Sequence, residues 1–590
     1  MRFILTYLKK LRWMIAGNMT IKLAGTLLEL LLPYVLEHLI DEVAPTRQVG
    51  AVFAWGIGMI ALAFSVRMLN VTANRLSVRV AKESIFEVRR DLFHASLNLS
   101  GSQMDAFGLP SIISRMTSDT YNVQNFIRAA QTLGIRAPFM LMGGICVSLT
   151  MDAGLARILC IMAPIMIVLV VMVSMKGIPL YDLVQQGMDD IVRVMRENIT
   201  GIRVVKALSK EGYEIRRFAG VNDRAARRDI KASIVMALPG PIVTLFLNIG
   251  LTLVVVVGAR RVNAGLTKPG VILAFLTYFN MILMGVMGLN RIFMMMSKAN
   301  ASAKRIAAVV QQPEELRAIP EAEAARTDRE GYLIFDHVSF SYDAAAESGV
   351  ETADRSRFAG SSRQMALEDI DFAVKKGGSL GIIGATGSGK TTIINLLMRF
   401  YDPKDGHVFV DGRDVRTYDQ DTLHRKFGVV FQNDAIFVDS VQGNLDFGRG
   451  LTEADIRLAA QDAMAAEFIE AYDDGYAHEA VINGANFSGG QRQRLLIARA
   501  LAANPEILIL DDASSALDYR TDAALRKAIR TRHAGATTVV IAQRVSSVMN
   551  LDEIIVLDEG KMIGRGTHAQ LLENCATYRD IFDTQMGEGR

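Results

Sequence analysis

The sequence predicts two architectures in one chain: an α-helical membrane domain of six spans over residues 1–305, and an α/β domain with a phosphate-binding loop over 331–590, joined by a linker at 306–330. Three observations carry this. Six apolar stretches, each long enough to cross a bilayer, crowd the first half. A glycine-rich loop lies between an apolar strand and a helical run in the second half. Downstream, another apolar strand ends in two adjacent carboxylates.

A hydrocarbon core requires about 20 apolar residues per helix. Stretches centred on residues 14–40, 50–72, 128–150, 156–176, 234–258 and 270–293 meet that requirement. An even number returns both termini to one side, and Lys9, Lys10 and Arg12 assign that side to the cytoplasm. Arg260, Arg261 and Lys268 then face outward, against the usual bias. Met1 to Arg12 reads as an amphipathic segment on the cytoplasmic membrane face. Residues 73–127 and 177–233 are long, polar and helical in pattern. Twenty-five such residues reach about 37 Å, so helices project into the cytoplasm, while outward loops such as Thr150 to Leu155 are short.

Glu29, Arg67, Arg136 and Arg291 fall within the spans, where charge is costly in lipid. Either they pair between helices or they line a transport cavity. The sixth span is rich in methionine, and Met284, Met287, Gly288, Arg291 and Met295 are expected on one helical face. Such a face suits either gap filling or adaptable binding. The three cysteines have no ligand spacing, and Cys146 and Cys160, in apolar runs, are expected to pack as small hydrophobes. Lys and Arg number 65 against 62 Asp and Glu, a balance that gives no case for nucleic acid.

In the second half, Gly384-Ala385-Thr386-Gly387-Ser388-Gly389-Lys390-Thr391 matches the phosphate-binding pattern G-x-x-x-x-G-K-[ST]. An apolar strand, Ser379 to Ile383, precedes it, and a helical run opening at Thr392 follows. Glycines let main-chain N–H groups curl around phosphates, and the helix N-terminus adds a favourable dipole. Lys390 is expected on the β- and γ-phosphates and Thr391 on Mg²⁺. The strand Ile507 to Leu510 ends in Asp511 and Asp512, and Asp511 is expected to hold the same ion.

Phe487-Ser488-Gly489-Gly490-Gln491, followed by Arg492-Gln493-Arg494-Leu495, resembles the signature of ABC proteins. Other segments resemble that family in order. Tyr342 is similar to its adenine-stacking aromatic, Gln432 to the Q-loop glutamine near Mg²⁺, and Ser515 to Asp518 to the D-loop. Gly108 to Asp119 and Glu197 to Lys206 resemble the two intracellular coupling regions of ABC exporters. The resemblance covers essentially the whole chain. It implies the ABC exporter fold, a dimer of half-exporters, ATP and Mg²⁺ as cofactors, and a signature that acts on ATP bound by the other subunit. It also implies a multi-pass protein of a bacterial plasma membrane, with the nucleotide-binding domain cytoplasmic.

Two departures from the family matter most. Asp512 stands where a Glu normally polarises the attacking water, and Gln543 stands where a switch His normally meets the γ-phosphate. Together they resemble the degenerate half of heterodimeric ABC exporters, whose partner keeps the Glu and the His. Ile482 also stands where a Glu often precedes the signature, and residues 343–365 are longer than the family's usual hairpin and read as a surface loop. A homodimeric exporter and an ATP-gated channel of the same fold are the alternatives. Drugs, lipids and other amphipathic molecules are the expected substrates.

Overall fold

A computed structural model describes residues 2–342 and 365–586 of the chain. The predicted surface loop at 343–365 therefore lies, except for Met365, outside the described residues. The chain divides into two units, Met1–Leu97 with Pro110–Gln312, and Asn98–Leu109 with Pro313–Arg590.

The helices of the first half are α1 (Arg2–Lys10), α2 (Arg12–His38), α3 (Val49–Leu97), α4 (Gly101–Phe107), α5 (Leu109–Ser114), α6 (Thr120–Met151), α7 (Ala153–Thr200), α8 (Ile202–Ala207), α9 (Glu211–Ala237), α10 (Pro239–Asn263) and α11 (Pro269–Val310). The six apolar stretches fall on α2, α3, α6, α7, α10 and α11. Among the described residues, five helical stretches are long and apolar enough to cross a membrane, and Ala153–Leu169 is a shorter apolar helix. The 49 residues of α3 and the 48 of α7 carry span and polar extension in one helix.

Asp152 starts α7 by accepting the N–H groups of Gly154 and Leu155 at 2.7 and 3.0 Å, satisfying two of the helix's orphan donors. It also meets Arg261 at 3.0 Å. Asp41 does the same for α11, accepting the N–H of Gly270 at 2.7 Å, and the adjacent Glu42 pairs with Lys268. Two of the three basic residues expected to face outward are thus matched by carboxylates.

Small residues set the packing of α11 on α6. A Cβ at Gly285 would lie 2.8 Å from the carbonyl of Ala137, and one at Gly288 would lie 2.9 Å from the Cβ of Ala137. Close approach of this kind is what small residues permit between membrane helices. It also splits the expected methionine face by burial. Gly288 is buried against α6, whereas Met284, Met287 and Arg291 are exposed. Gly288 lies four residues after Met284 and about 100° from Met287, so it forms the buried edge of a stripe whose Met284 and Met287 are exposed.

The charged residues of the spans divide. Arg136 pairs with Glu29 at 2.7 Å, between α6 and α2. Below them on α2, Lys22 donates to Asn70 of α3 at 2.6 Å and Asn18 donates to Gln131 of α6 at 3.1 Å. Pairing between helices therefore accounts for Glu29 and Arg136, while Arg67 and Arg291 are exposed. Cys146 and Cys160 are exposed as well, contrary to expectation, and it is Cys575 that is buried. An apolar run in a spanning helix is apolar on every side, so an apolar neighbourhood in sequence does not imply a core position.

In the second unit the strands are β1 (Leu333–Phe340), β2 (Leu367–Val374), β3 (Ser379–Gly384), β4 (Asp405–Val410), β5 (Arg413–Asp414), β6 (Phe427–Val430), β7 (Ile507–Asp511), β8 (Thr537–Ile541), β9 (Glu553–Asp558) and β10 (Lys561–Gly566). They form a four-stranded antiparallel sheet, β2-β1-β4-β5, and a six-stranded sheet, β10-β9-β3-β8-β7-β6. Strands β9, β3, β8, β7 and β6 run parallel. All five residues of β7 are buried, as a strand covered on both faces requires. One core, including Phe335, Ile382, Ile394 and Ile509, joins the two sheets, and a second, including Leu496, Ile497 and Leu508, packs the other face of the parallel sheet.

Helix α4 belongs to this unit. A capping box of Ser100 and Gln103 opens it, and Gly108, at φ 72°, closes it. Gly101 donates its N–H to the carbonyl of Phe400 at 3.0 Å, and the Tyr401 hydroxyl donates to Asp105 at 2.7 Å. These contacts come from residues just ahead of the expected coupling region at Gly108 to Asp119, because the cap fixes a separate helix there. The segment after α11 is also stitched to the unit. Ile319 donates its N–H to the carbonyl of Arg416 at 2.9 Å, and the buried Arg399 donates to the carbonyl of Arg317 at 3.0 Å.

Candidate functional site

In an open parallel sheet, ligands bind outside the carboxyl ends of the strands. Four strand ends supply the groups here. The glycine-rich loop follows β3, Gln432 follows β6, Asp511 ends β7 with Asp512 next, and Gln543 follows β8. They meet in a cleft of ≈ 380 Å³ that is also lined by Tyr342, Thr386, Gly387, Gly389, Lys390, Thr391 and Thr392.

The loop turns through Gly387 and Gly389, at φ 86° and 97°, values that L side chains rarely adopt. Gly389 leads into α12 (Lys390–Leu397), whose first N–H groups have no partner within the helix. Ser388, within the loop, is buried. The Lys390 ammonium donates to the carbonyls of Gly384 and Ala385 at 2.9 and 2.6 Å. Burial pulls its pKa below the usual lysine value, opposed by Asp511 and Asp512.

Asp511 is buried and accepts the Thr391 hydroxyl at 3.1 Å. Burial raises its pKa, the Thr391 hydrogen bond lowers it, Asp512 raises it and Lys390 lowers it. Asp512 sits at φ 50°, with its N–H on the carbonyl of Ile541 at 2.9 Å. Burial raises its pKa too, opposed by Arg544 and Lys390. Arg544 is a cation that sequence reasoning passed over. Its place directly after Gln543 was the only available signal.

Tyr342 stands at the cleft mouth, 42% exposed. Its hydroxyl is 3.1 Å from that of Thr392 and accepts from Asn395 at 3.2 Å. Edge-to-face contacts with Phe340 and Tyr401, at 4.8 and 5.3 Å between ring centroids, set its plane. The result is a ring at one end, a cationic and N–H-rich loop in the middle, and hydroxyl, carboxylate and carboxamide oxygens from Thr391, Asp511 and Gln432 beside it. Hard oxygen donors of that kind suit a small divalent cation such as Mg²⁺.

The signature is placed elsewhere. Ser488 caps the helix Gly489–Ala502, its oxygen accepting the N–H of Gln491 at 3.3 Å while the Gln491 side chain accepts the N–H of Ser488 at 2.8 Å. Phe487 is buried in the second core. Asp518 caps the helix Tyr519–Arg532. Among the described residues, the cleft lining includes neither Phe487 to Gln491 nor Asp518. The chain brings the phosphate loop, both carboxylates, Gln432, Gln543 and Tyr342 together, and leaves the signature apart.

Residues 15–287 match the ABC transporter transmembrane region, and residues 367–515 match the ABC transporter family. The chain is 32% identical over 588 residues to the ABC transporter ATP-binding protein YfiB of Bacillus subtilis, covering 99% of this chain and 98% of that one. It is 31% identical over 510 residues to an ATP-dependent lipid A-core flippase of Nitrosococcus oceani, covering 86% and 82%. In fold it is similar to a bacterial Atm1-family ABC exporter with ATP bound, with a TM-score of 0.80, 23% identity, and 98% and 99% coverage. The chain belongs to the ABC transporter family: it is an exporter half whose nucleotide-binding domain is an ATPase coupled to transport across a membrane.

Proposed function

We propose that this ABC half-exporter works beside a different half-exporter, and that its own nucleotide site holds ATP with little hydrolysis while its signature completes the partner's site. The observation that carries this is the pair Asp512 and Gln543 in one cleft with an otherwise complete phosphate loop. Hydrolysis needs a water held in line with the γ-phosphate and stabilisation of the charge that develops. Asp512 is one methylene shorter than glutamate, and a misplacement of about 1 Å can cost on the order of a hundredfold. Gln543 can donate a hydrogen bond to phosphate but carries no positive charge. By contrast, Lys390, Thr391 and Asp511 are the groups that binding requires.

Thr391, Asp511 and Gln432 would hold Mg²⁺, which when bound neutralises phosphate charge. Phe487 to Gln491 would face the partner's nucleotide: Ser488 and the N–H groups opening its helix form an N-terminus suited to an anion. Asp518 would lie beside that contact. We place the protein in a bacterial plasma membrane, with both termini and the nucleotide-binding domain in the cytoplasm. Its substrates are amphipathic, with lipids the favoured class, in keeping with a relative named as a lipid A-core flippase. Exposed Met284 and Met287 suit such cargo.

The test uses the assembled exporter with its partner. Asp512→Asn should leave most of the ATPase activity in place. Ser488→Arg, which puts a bulky cation at the partner's γ-phosphate, should reduce it by about a hundredfold or more, the scale of losing preorganised donors. If Asp512→Asn stops turnover while Ser488→Arg is tolerated, this chain's own site is the catalytic one and the homodimeric reading replaces ours.

A further inference from the structure

The wall of the cleft that carries Gln543 is held from the far end of the chain. Ala542, Gln543 and Arg544 form the short segment between β8 and the helix Val545–Val548. That helix has no side-chain cap from its own N-terminal residue. Instead, the N–H of Val545 donates to Oε1 of Gln585 at 2.8 Å. Nε2 of the same carboxamide donates to the carbonyl of Gln543 at 2.8 Å. One planar group therefore fixes the main chain on both sides of Arg544.

Gln585 is exposed, but the helix that carries it is anchored. It lies in the last turn of the helix Ala576–Met586. Tyr578, Ile581 and Gln585 recur on one face of that helix, with Phe582 beside them. Tyr578 is fully buried, and its hydroxyl is 2.7 Å from Nδ1 of His568. Ile581 and Phe582 pack on the cluster that contains Val545 and Val548. The last helix thus clamps the switch segment by packing and by a two-pronged hydrogen bond.

We infer that Gln585 is a positioning residue: its clamp sets how closely Gln543 approaches the terminal phosphate, and so how well this site tells ATP from ADP. This rests on reading Gln543 as the residue that faces the γ-phosphate. Releasing the clamp frees the main chain of residues 543–545 without touching the phosphate loop or Tyr342. The loss falls on the one phosphate that ADP lacks.

Equilibrium binding of AMP-PNP and of ADP to the full-length chain in nanodiscs tests this. Gln585→Ala should weaken AMP-PNP by about five- to tenfold, the scale of one well-placed hydrogen bond, with ADP changed by less than about twofold. Gln585→Glu keeps an acceptor for Val545 but loses the donor to Gln543, and should fall between wild type and Gln585→Ala. ADP binding doubles as the control for folding. Equal weakening of both nucleotides, or of neither, while Gln543→Ala selectively weakens AMP-PNP, overturns the role given to Gln585. If Gln543→Ala itself leaves the ratio unchanged, the reading of Gln543 fails and takes this inference with it.

Discussion

Two sets of groups in the nucleotide cleft are built to different standards. In one, Lys390, Thr391 and Asp511 form a connected set, with Thr391 donating to Asp511 and Lys390 folded over the carbonyls of its own loop. In the other, Asp512 and Gln543 are a short acid and a neutral amide. On the proposed reading, the contrast separates holding a nucleotide from breaking it within one cavity. Binding draws on groups that neutralise charge already present on the phosphates. Hydrolysis draws on groups that meet charge as it forms. A cleft can lose the second set and keep the first.

The comparison can be broken most directly at its strong end. Lys390→Ala should weaken labelling of this subunit by an azido-ATP analogue about ten- to a hundredfold, since charge-assisted contacts contribute about 1.5 to 3 kcal/mol each. Unchanged labelling would mean that the loop does not carry the affinity. The weak end can be sharpened by repair. With the partner's site silenced by Ser488→Arg, adding Asp512→Glu and Gln543→His should raise the remaining ATPase rate by about tenfold or more, because a placed general base contributes at least that much. No gain would place the defect outside these two side chains.

The smallest effect is on stability. Burial raises the Asp512 pKa, so the folded chain holds this proton more readily than the unfolded one. The carboxyl's contribution to stability is therefore present at acidic pH and lost as pH rises through its folded value. Asp512→Asn removes the charge, and asparagine tolerates the positive φ found there. Without nucleotide, its melting temperature should exceed wild type by about 1–2 °C near neutral pH. That advantage should shrink toward the ordinary carboxylate range. A melting temperature below wild type at neutral pH would contradict the buried-charge account.

Most of the cleft was legible in the sequence because its parts are local. A strand, a glycine turn and a helix start are consecutive, so Gly384 to Thr392 can be read without a fold. Asp512 and Gln543 were legible by their distance from known motifs. Three things were not. Gln585 lies 42 residues from Gln543, and only the fold of the last helix brings them together. The exposure of Cys146 and Cys160 was hidden because apolar runs mark a spanning helix without marking its buried side. The separate helix α4 was hidden too, since it starts at a cap of Ser100 and Gln103 whose spacing is visible only to a reader searching for a helix start there.

Tyr401 ties two inheritances together. Its hydroxyl holds Asp105 of α4, and its ring meets the edge of Tyr342 at 5.3 Å. Such ring pairs contribute about 0.5–1.5 kcal/mol beyond area burial. A substitution that tilts the ring at position 342 disturbs the clasp on α4, and a change in α4 is felt at that ring. Neither position can drift alone. In a lineage of such chains, acceptable replacements at 105, 342 and 401 should arrive together, so the ring at the cleft mouth evolves at the pace of a short helix more than two hundred residues upstream.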